Sequence, residues 1–141
     1  MNRITVLIMV AAIVAIASDA TAMSNYRWKY RPLLVFADGE SSAALAQQRG
    51  IVAASRTGLA DRNVVVVWVI GDVVSSELGP RPGLSASAFM ARFGMATASF
   101  RAVLVGKDGG AKLSQSTPLD AAQLFATIDA MPMRRDVMRG R

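Results

Sequence analysis

Val64-Val65-Val66-Val67-Trp68-Val69-Ile70 is an unbroken apolar run of strand length, and Leu33-Leu34-Val35-Phe36-Ala37 is a second. A strand with one face in water alternates apolar and polar residues. A run without alternation is buried on both faces, which is the condition of central parallel strands covered by helices on either side. The segment between the two runs carries helical signals. Ser41 or Ser42 supplies an N-cap, and Leu45, Val52 and Leu59 recur at a spacing that keeps them on one face of a helix ending near Gly58. Strand, helix, strand therefore read as one right-handed crossover.

Working outward, Phe100 to Val105 is a third strand. It leads into Gly106-Lys107-Asp108-Gly109-Gly110, whose Asp-Gly pair signals a hairpin, with Ala111 to Ser114 as the returning strand. That pair predicts a type I′ turn with a left-handed glycine at 109 or 110. Phe89 and Phe93 lie on one face of a short helix before Gly94, after a loop marked by Gly79-Pro80-Arg81-Pro82-Gly83. Thr117 is the expected N-cap of a last helix, with Pro118 in its first turn and Asp120 capping back. Leu124, Phe125, Ile128 and Met131 form its apolar stripe, and Pro132 is read as its stop. Tyr26-Arg27-Trp28-Lys29-Tyr30-Arg31 alternates aromatic with basic, which predicts a half-buried strand with Tyr26, Trp28 and Tyr30 on the packed face. The expected fold is α/β: a thioredoxin-like three-layer sandwich whose central mixed sheet has about four strands, two parallel strands plus an antiparallel hairpin, flanked by helices.

Four stretches carry a resemblance. They are Arg27-Trp28-Lys29 with Arg31 to Phe36; Gly58 to Val65; Phe100 to Leu113, with its Lys-Asp-Gly-Gly hairpin; and Ile128-Asp129-Ala130-Met131-Pro132-Met133-Arg134-Arg135. On these the chain resembles an uncharacterised family of secreted bacterial domains with a thioredoxin-like fold and no established activity. The hairpin is a common feature of such domains, whereas the Asp-Ala-Met-Pro-Met-Arg-Arg end is more specific. In redox-active thioredoxin-like proteins a Cys-x-x-Cys pair follows the first strand, where this chain has Asp38-Gly39-Glu40-Ser41-Ser42. Such proteins also carry a cis-proline before the third strand, where Ala98-Ser99 stands here.

Composition narrows the chemistry further. The 141 residues are 52% hydrophobic and 18% charged, too apolar for a disordered chain and of a length for one domain. There is no cysteine and no histidine, which excludes thiol–disulfide exchange, Cys/His zinc sites and any histidine base or triad. Gly83-Leu84-Ser85-Ala86-Ser87 lacks the final glycine of a nucleophile elbow, and neither a phosphate-binding P-loop nor a dinucleotide fingerprint occurs. No cofactor is expected.

The N-terminus reads as an address. Asn2 and Arg3 precede an apolar run from Ile4 to Ala17, shorter than the roughly 20 residues of a spanning helix. Asp19 closes it, and Ala20-Thr21-Ala22 has the small residues of a cleavage site. Residues 1–22 are thus expected to be a cleaved signal peptide, 23–136 the domain and 137–141 a basic tail, with the mature form exported and not transmembrane. Cleavage removes one cation, Arg3, and one anion, Asp19, so the net charge stays at +6.

Three clusters are candidate sites. The basic residues bunch as Arg27, Lys29 and Arg31 near the start of the domain and as Arg134, Arg135 and Arg139 near its end. Their expected role is a surface for an anionic lipid, a glycan or an acidic protein; nucleic acid is disfavoured for an exported protein. The competing view is that the aromatics pack on the core while the charges are merely solvated. Asp38 and Glu40 after the first strand and Asp72 after the second stand where α/β sheets often place ligands, beyond the carboxyl ends of strands. Those three carboxylates define the alternative, a carboxylate- or divalent-cation-dependent hydrolase, against ordinary turn chemistry. Met131-Pro132-Met133 with Met138 offers thioether ligands for Cu(I), but without His or Cys the cluster reads as packing.

Overall fold

The computed structural model describes residues 25–94 and 99–140; the expected signal peptide lies outside them. The two valine-rich runs are the centre of the molecule. β1 (Arg31–Ala37) and β2 (Val64–Ile70) pair in parallel, Leu33 opposite Val66, and every residue of both is buried. α1 (Ala43–Ala54) connects them, capped by the Ser42 hydroxyl, which accepts from Leu45 N at 3.2 Å. The helix does not run on to Gly58. It closes at Ser55, whose N–H reaches Val52 O, and a separate turn of helix, α2 (Arg56–Asp61), follows. Gly58 sits inside α2 because space is short: a Cβ there would lie 2.5 Å from the Phe125 ring. Asn63 then takes φ +56° to swing the chain into β2.

Among the described residues the sheet has five strands, not about four. β3 (Val73–Glu77) returns antiparallel along β2, and β4 (Arg101–Val105) and β5 (Ala111–Gln115) form the expected hairpin on the other side of β1. The order is β3-β2-β1-β4-β5. β3 escaped the pattern because it is a short edge strand, in which only Val74 is fully buried beside Ser75 and Ser76. The β4–β5 turn also departs from expectation. Gly109 takes φ +88° and donates to Gly106 O, but Asp108 is not left-handed, and the hairpin register shifts at Leu104/Val105, just before the turn. A single left-handed glycine beside a bulge replaces the type I′ pair.

Because successive strand residues point to opposite faces, the sheet builds two cores. Leu33, Val35, Val64 and Val66 pack on Leu45, Val52, Leu59, Leu124 and Ile128 from α1, α2 and α4 (Ala121–Asp129). Leu34, Phe36, Val65 and Val67 pack on the opposite face against Tyr26, Leu84 and Phe89, the last from α3 (Ala86–Arg92). The layers are thus helix, mixed sheet, helix.

Three expectations near the termini change. Asp120 itself is the N-cap of α4, accepting from Gln123 N at 2.7 Å, so Thr117 lies before the helix. Pro132 follows the end of α4 at its cap, Ala130, as expected, but it does not end the helical part of the chain. It opens α5 (Pro132–Arg139) at the first position, where a missing N–H costs nothing. The aromatic–basic alternation is not a strand. Residues 25–29 form a turn in which Lys29 N and Tyr30 N both donate to Tyr26 O, and Trp28 is forced to φ +69°. The reversal separates the aromatics: Tyr26 is buried and Trp28 is 59% exposed.

Candidate functional site: a groove at the amino ends of the parallel strands

The turn at Trp28, the β4–β5 hairpin and the junction of α4 with α5 enclose a groove of about 500 Å³. It lies where β1 begins, at the end of the sheet opposite Asp38 and Asp72. Trp28, Met131, Pro132 and Met133 supply apolar lining, and Arg31, Lys107 and Lys112 add positive charge against the single carboxylate of Asp108. Local sequence sets each position. Trp28 N donates to Lys107 O at 2.7 Å, which ties the strained turn to the hairpin. The Arg27 guanidinium covers one side of the Trp28 ring at 5.5 Å.

Beside the groove is an ion-pair cluster that joins α2, α4 and α5. Arg62 makes a two-pronged pair with Asp129, both bonds at 3.0 Å. Arg134 donates to Asp129 Oδ1 at 3.2 Å and to Asp61 Oδ2 at 2.8 Å. Desolvation alone would lower the pKa of Arg134, but its bonds to Asp61 and Asp129 outweigh this and raise it. The Asp129 carboxyl is in turn held below the usual range, first by the Arg62 bond and, against some desolvation, by Arg134.

Arg31 is the exception. It is 2% exposed, and its Nη1 donates to the backbone carbonyl of Arg62 at 2.7 Å. Its Nε is buried without a hydrogen-bond partner among the described residues. Burial lowers its pKa and repulsion from Arg134 adds to this, with only a partial offset from Asp129. Lys107 feels the same crowding: desolvation, then Arg31 and Arg134, lower its pKa. Its ammonium is held by Asn63 Oδ1 at 2.9 Å. Lys112 is matched locally, bonded to Asp108 Oδ2 at 2.9 Å.

The sequence-based surface therefore splits. Arg27, Lys29, Arg135 and Arg139 are exposed, and Arg139 faces Asp136 at 3.5 Å. Arg31 and Arg134 are not surface cations. β1 buries the first and the carboxylate pair the second, so neither can serve as a freely solvated contact. The two basic stretches, far apart in sequence, are brought to one place through these buried members. The acidic residues Asp38, Glu40 and Asp72 are exposed, and Glu40 is engaged by Arg49 at 3.1 Å. Among the described residues no three Asp or Glu side chains form a group able to hold a metal ion, so the three are not assembled as one such site. Of the methionines, Met131 packs against the core, while Met133 and Met138 are partly exposed.

Sequence reasoning missed Lys107 and Lys112 as site residues, because both stood in an ordinary hairpin. It also placed Trp28 in the core. The available signal was the Asp-Ala-Met-Pro-Met-Arg-Arg segment, whose middle forms the groove wall.

Residues 22–136 match the model of a family described as Domain of unknown function (DUF4174). The chain belongs to this family. The match covers all the described strands and helices except the end of α5, and so includes every residue of the groove. No curated protein and no solved structure matches the chain. The DUF4174 description assigns no activity, so the chemistry of the groove is read from its own residues.

Proposed function

We propose that the protein is a non-catalytic, exported, thioredoxin-like module that binds an anionic partner. The observation that carries this reading is the buried Arg31 guanidinium, which lines the groove without a carboxylate of its own while its neighbours Arg62 and Arg134 hold Asp129 and Asp61. A buried cation without a counter-charge is costly, and an anion entering the groove offsets that cost. The thioredoxin-like element is supported by topology. Parallel β1 and β2 joined by a helix, the β4–β5 hairpin on the far side of β1 and a following helix match the order expected for that fold, with β3 added at one edge. The exported element is supported by residues 1–22. The non-catalytic one is supported by the absence of thiol and imidazole groups, together with the exposed Asp38, Glu40 and Asp72, which are not grouped as one metal-binding cluster among the described residues.

The test is binding of anionic and neutral probes to the purified protein by titration calorimetry at low and high salt. Anions as a class should bind, and Lys107→Met should weaken them, with affinity falling as salt screens charge beyond about 8 Å. Exchange of Asp38, Glu40 and Asp72 for their amides should leave that binding intact. Equal binding of charged and neutral probes, or insensitivity to Lys107→Met, overturns the reading.

A further inference from the structure

We infer that the occupant of the groove is a small amphipathic anion, one oxyanion head on an apolar or aromatic body of roughly ten to twenty non-hydrogen atoms. This rests on the anion-binding reading above and names its ligand class.

The head is specified by charge. Among the described residues the charged groups lining the groove are Arg31, Lys107, Lys112 and Asp108. Asp108 is taken by Lys112, and beside the groove Arg62 and Arg134 hold Asp61 and Asp129, so positive charge remains in excess. The first turn of α5 adds to it. Met131 at the N-cap position gives no side-chain hydrogen bond, Pro132 fills the first helical position, and Met131, Pro132 and Met133 all line the groove. An uncapped helix start favours an anion. The independent sign of a ligand is the unpartnered Arg31 Nε in a side chain that is almost wholly buried.

The body is specified by Trp28. This residue is left-handed at φ +69° and is held there by the bond from its N–H to Lys107 O. Left-handed backbone is unfavourable for a tryptophan, and this large apolar residue is left exposed. Both costs are met at the same position, and the residue lines the groove together with Met131 and Met133. An aromatic face and two flexible thioethers suit a planar or aliphatic body. The cavity has the volume of a small-molecule site. A flat lipid surface or an extended glycan would instead engage the exposed Arg27, Lys29, Arg135 and Arg139 and leave Arg31 untouched.

The experiment separates head from body. Naphthoate, naphthyl phosphate and decanoate carry both, naphthamide only the body, and acetate and inorganic phosphate only the head. Binding to the whole protein is followed by calorimetry and by tryptophan fluorescence, with phosphatidylglycerol vesicles and heparin in parallel. At least one of the first three should bind, at least about tenfold tighter than naphthamide, acetate or phosphate. The relative strength of the carboxylate and phosphate arms identifies the head. Lys107→Met and Trp28→Gly should each weaken binding by about tenfold, while a melting curve shows Trp28→Gly still folded. If vesicles or heparin bind and no amphipathic anion does, the ligand class is wrong while the anion-binding reading stands. If inorganic phosphate binds as tightly as naphthyl phosphate, the body plays no part and the inference fails. If no anion binds, both fall. Amphipathic binding unchanged in both variants places the ligand elsewhere and overturns the inference.

Discussion

Arg134 and Arg31 are two buried arginines at the same end of the sheet, and they are provided for differently. Arg134 reaches Asp61 and Asp129 and clamps α5 onto α2 and α4. Arg31 has a backbone carbonyl for one nitrogen and, among the described residues, nothing for another. A structural ion pair is recognised by its completeness, since a charge removed from water is tolerated when every lone pair and proton finds a partner. The completed site holds the fold together. The incomplete one, floored by charge and walled by an exposed tryptophan, is the place to look for a ligand.

The largest effect should come from breaking the completed side. Arg134→Met leaves Asp61 and Asp129 without their shared cation and should cost about 2–4 kcal/mol, at the lower end because both carboxylates are partly exposed. Urea unfolding measures this, and a variant as stable as the parent would show that α5 is not held by the cluster. Acid should reach the same cluster. The folded Asp129 carboxyl lies below its ordinary value of 3.8, so its contribution is full above that value and is lost as pH falls through the lower folded one. Asp129→Asn should therefore flatten the acid limb of the stability–pH curve below about pH 5. A limb of undiminished slope would assign acid sensitivity to other carboxylates.

The incomplete side should respond weakly in stability. Arg31→Met removes one hydrogen bond of about 1 kcal/mol but also a buried charge, so the net change should stay within about 1 kcal/mol. A loss as large as that for Arg134 would make the two arginines equivalent and remove the contrast. Smallest of all should be Trp28→Gly, where relief of the left-handed strain offsets lost contact, to within about 0.5 kcal/mol by thermal melting. A strongly destabilised Trp28→Gly would identify the tryptophan as structural.

The legibility of this chain followed burial. Leu33 to Ala37 and Val64 to Ile70 read as central parallel strands because nothing but two covered faces accounts for such runs. Ser41 or Ser42 read as a helix cap from residue type alone, and Ser42 is the one that caps α1. The edge strand at Val73–Glu77 did not read, since its serines leave only a fragment of alternation. Pro132 read as a stop, and α4 does end before it. That the same proline starts α5 did not read, because proline both follows helices and opens them, and α5 is held by Arg134 on Asp61 and Asp129. At the site, the basic residues near both ends of the domain were visible, but their burial was not.

By itself the amino-acid sequence determined the layered α/β plan and the exclusion of thiol and histidine chemistry, because hydrophobic periodicity and residue inventory are local properties of the chain. Only the tertiary structure decided which arginine finds carboxylates and which does not. Asp61, Asp129 and Arg134 meet across three helices, and Trp28, Lys107 and Met133 across a turn, a hairpin and a helix start. Whether a charge is paired depends on distances of a few ångströms between residues far apart in sequence, and no local pattern carries that information.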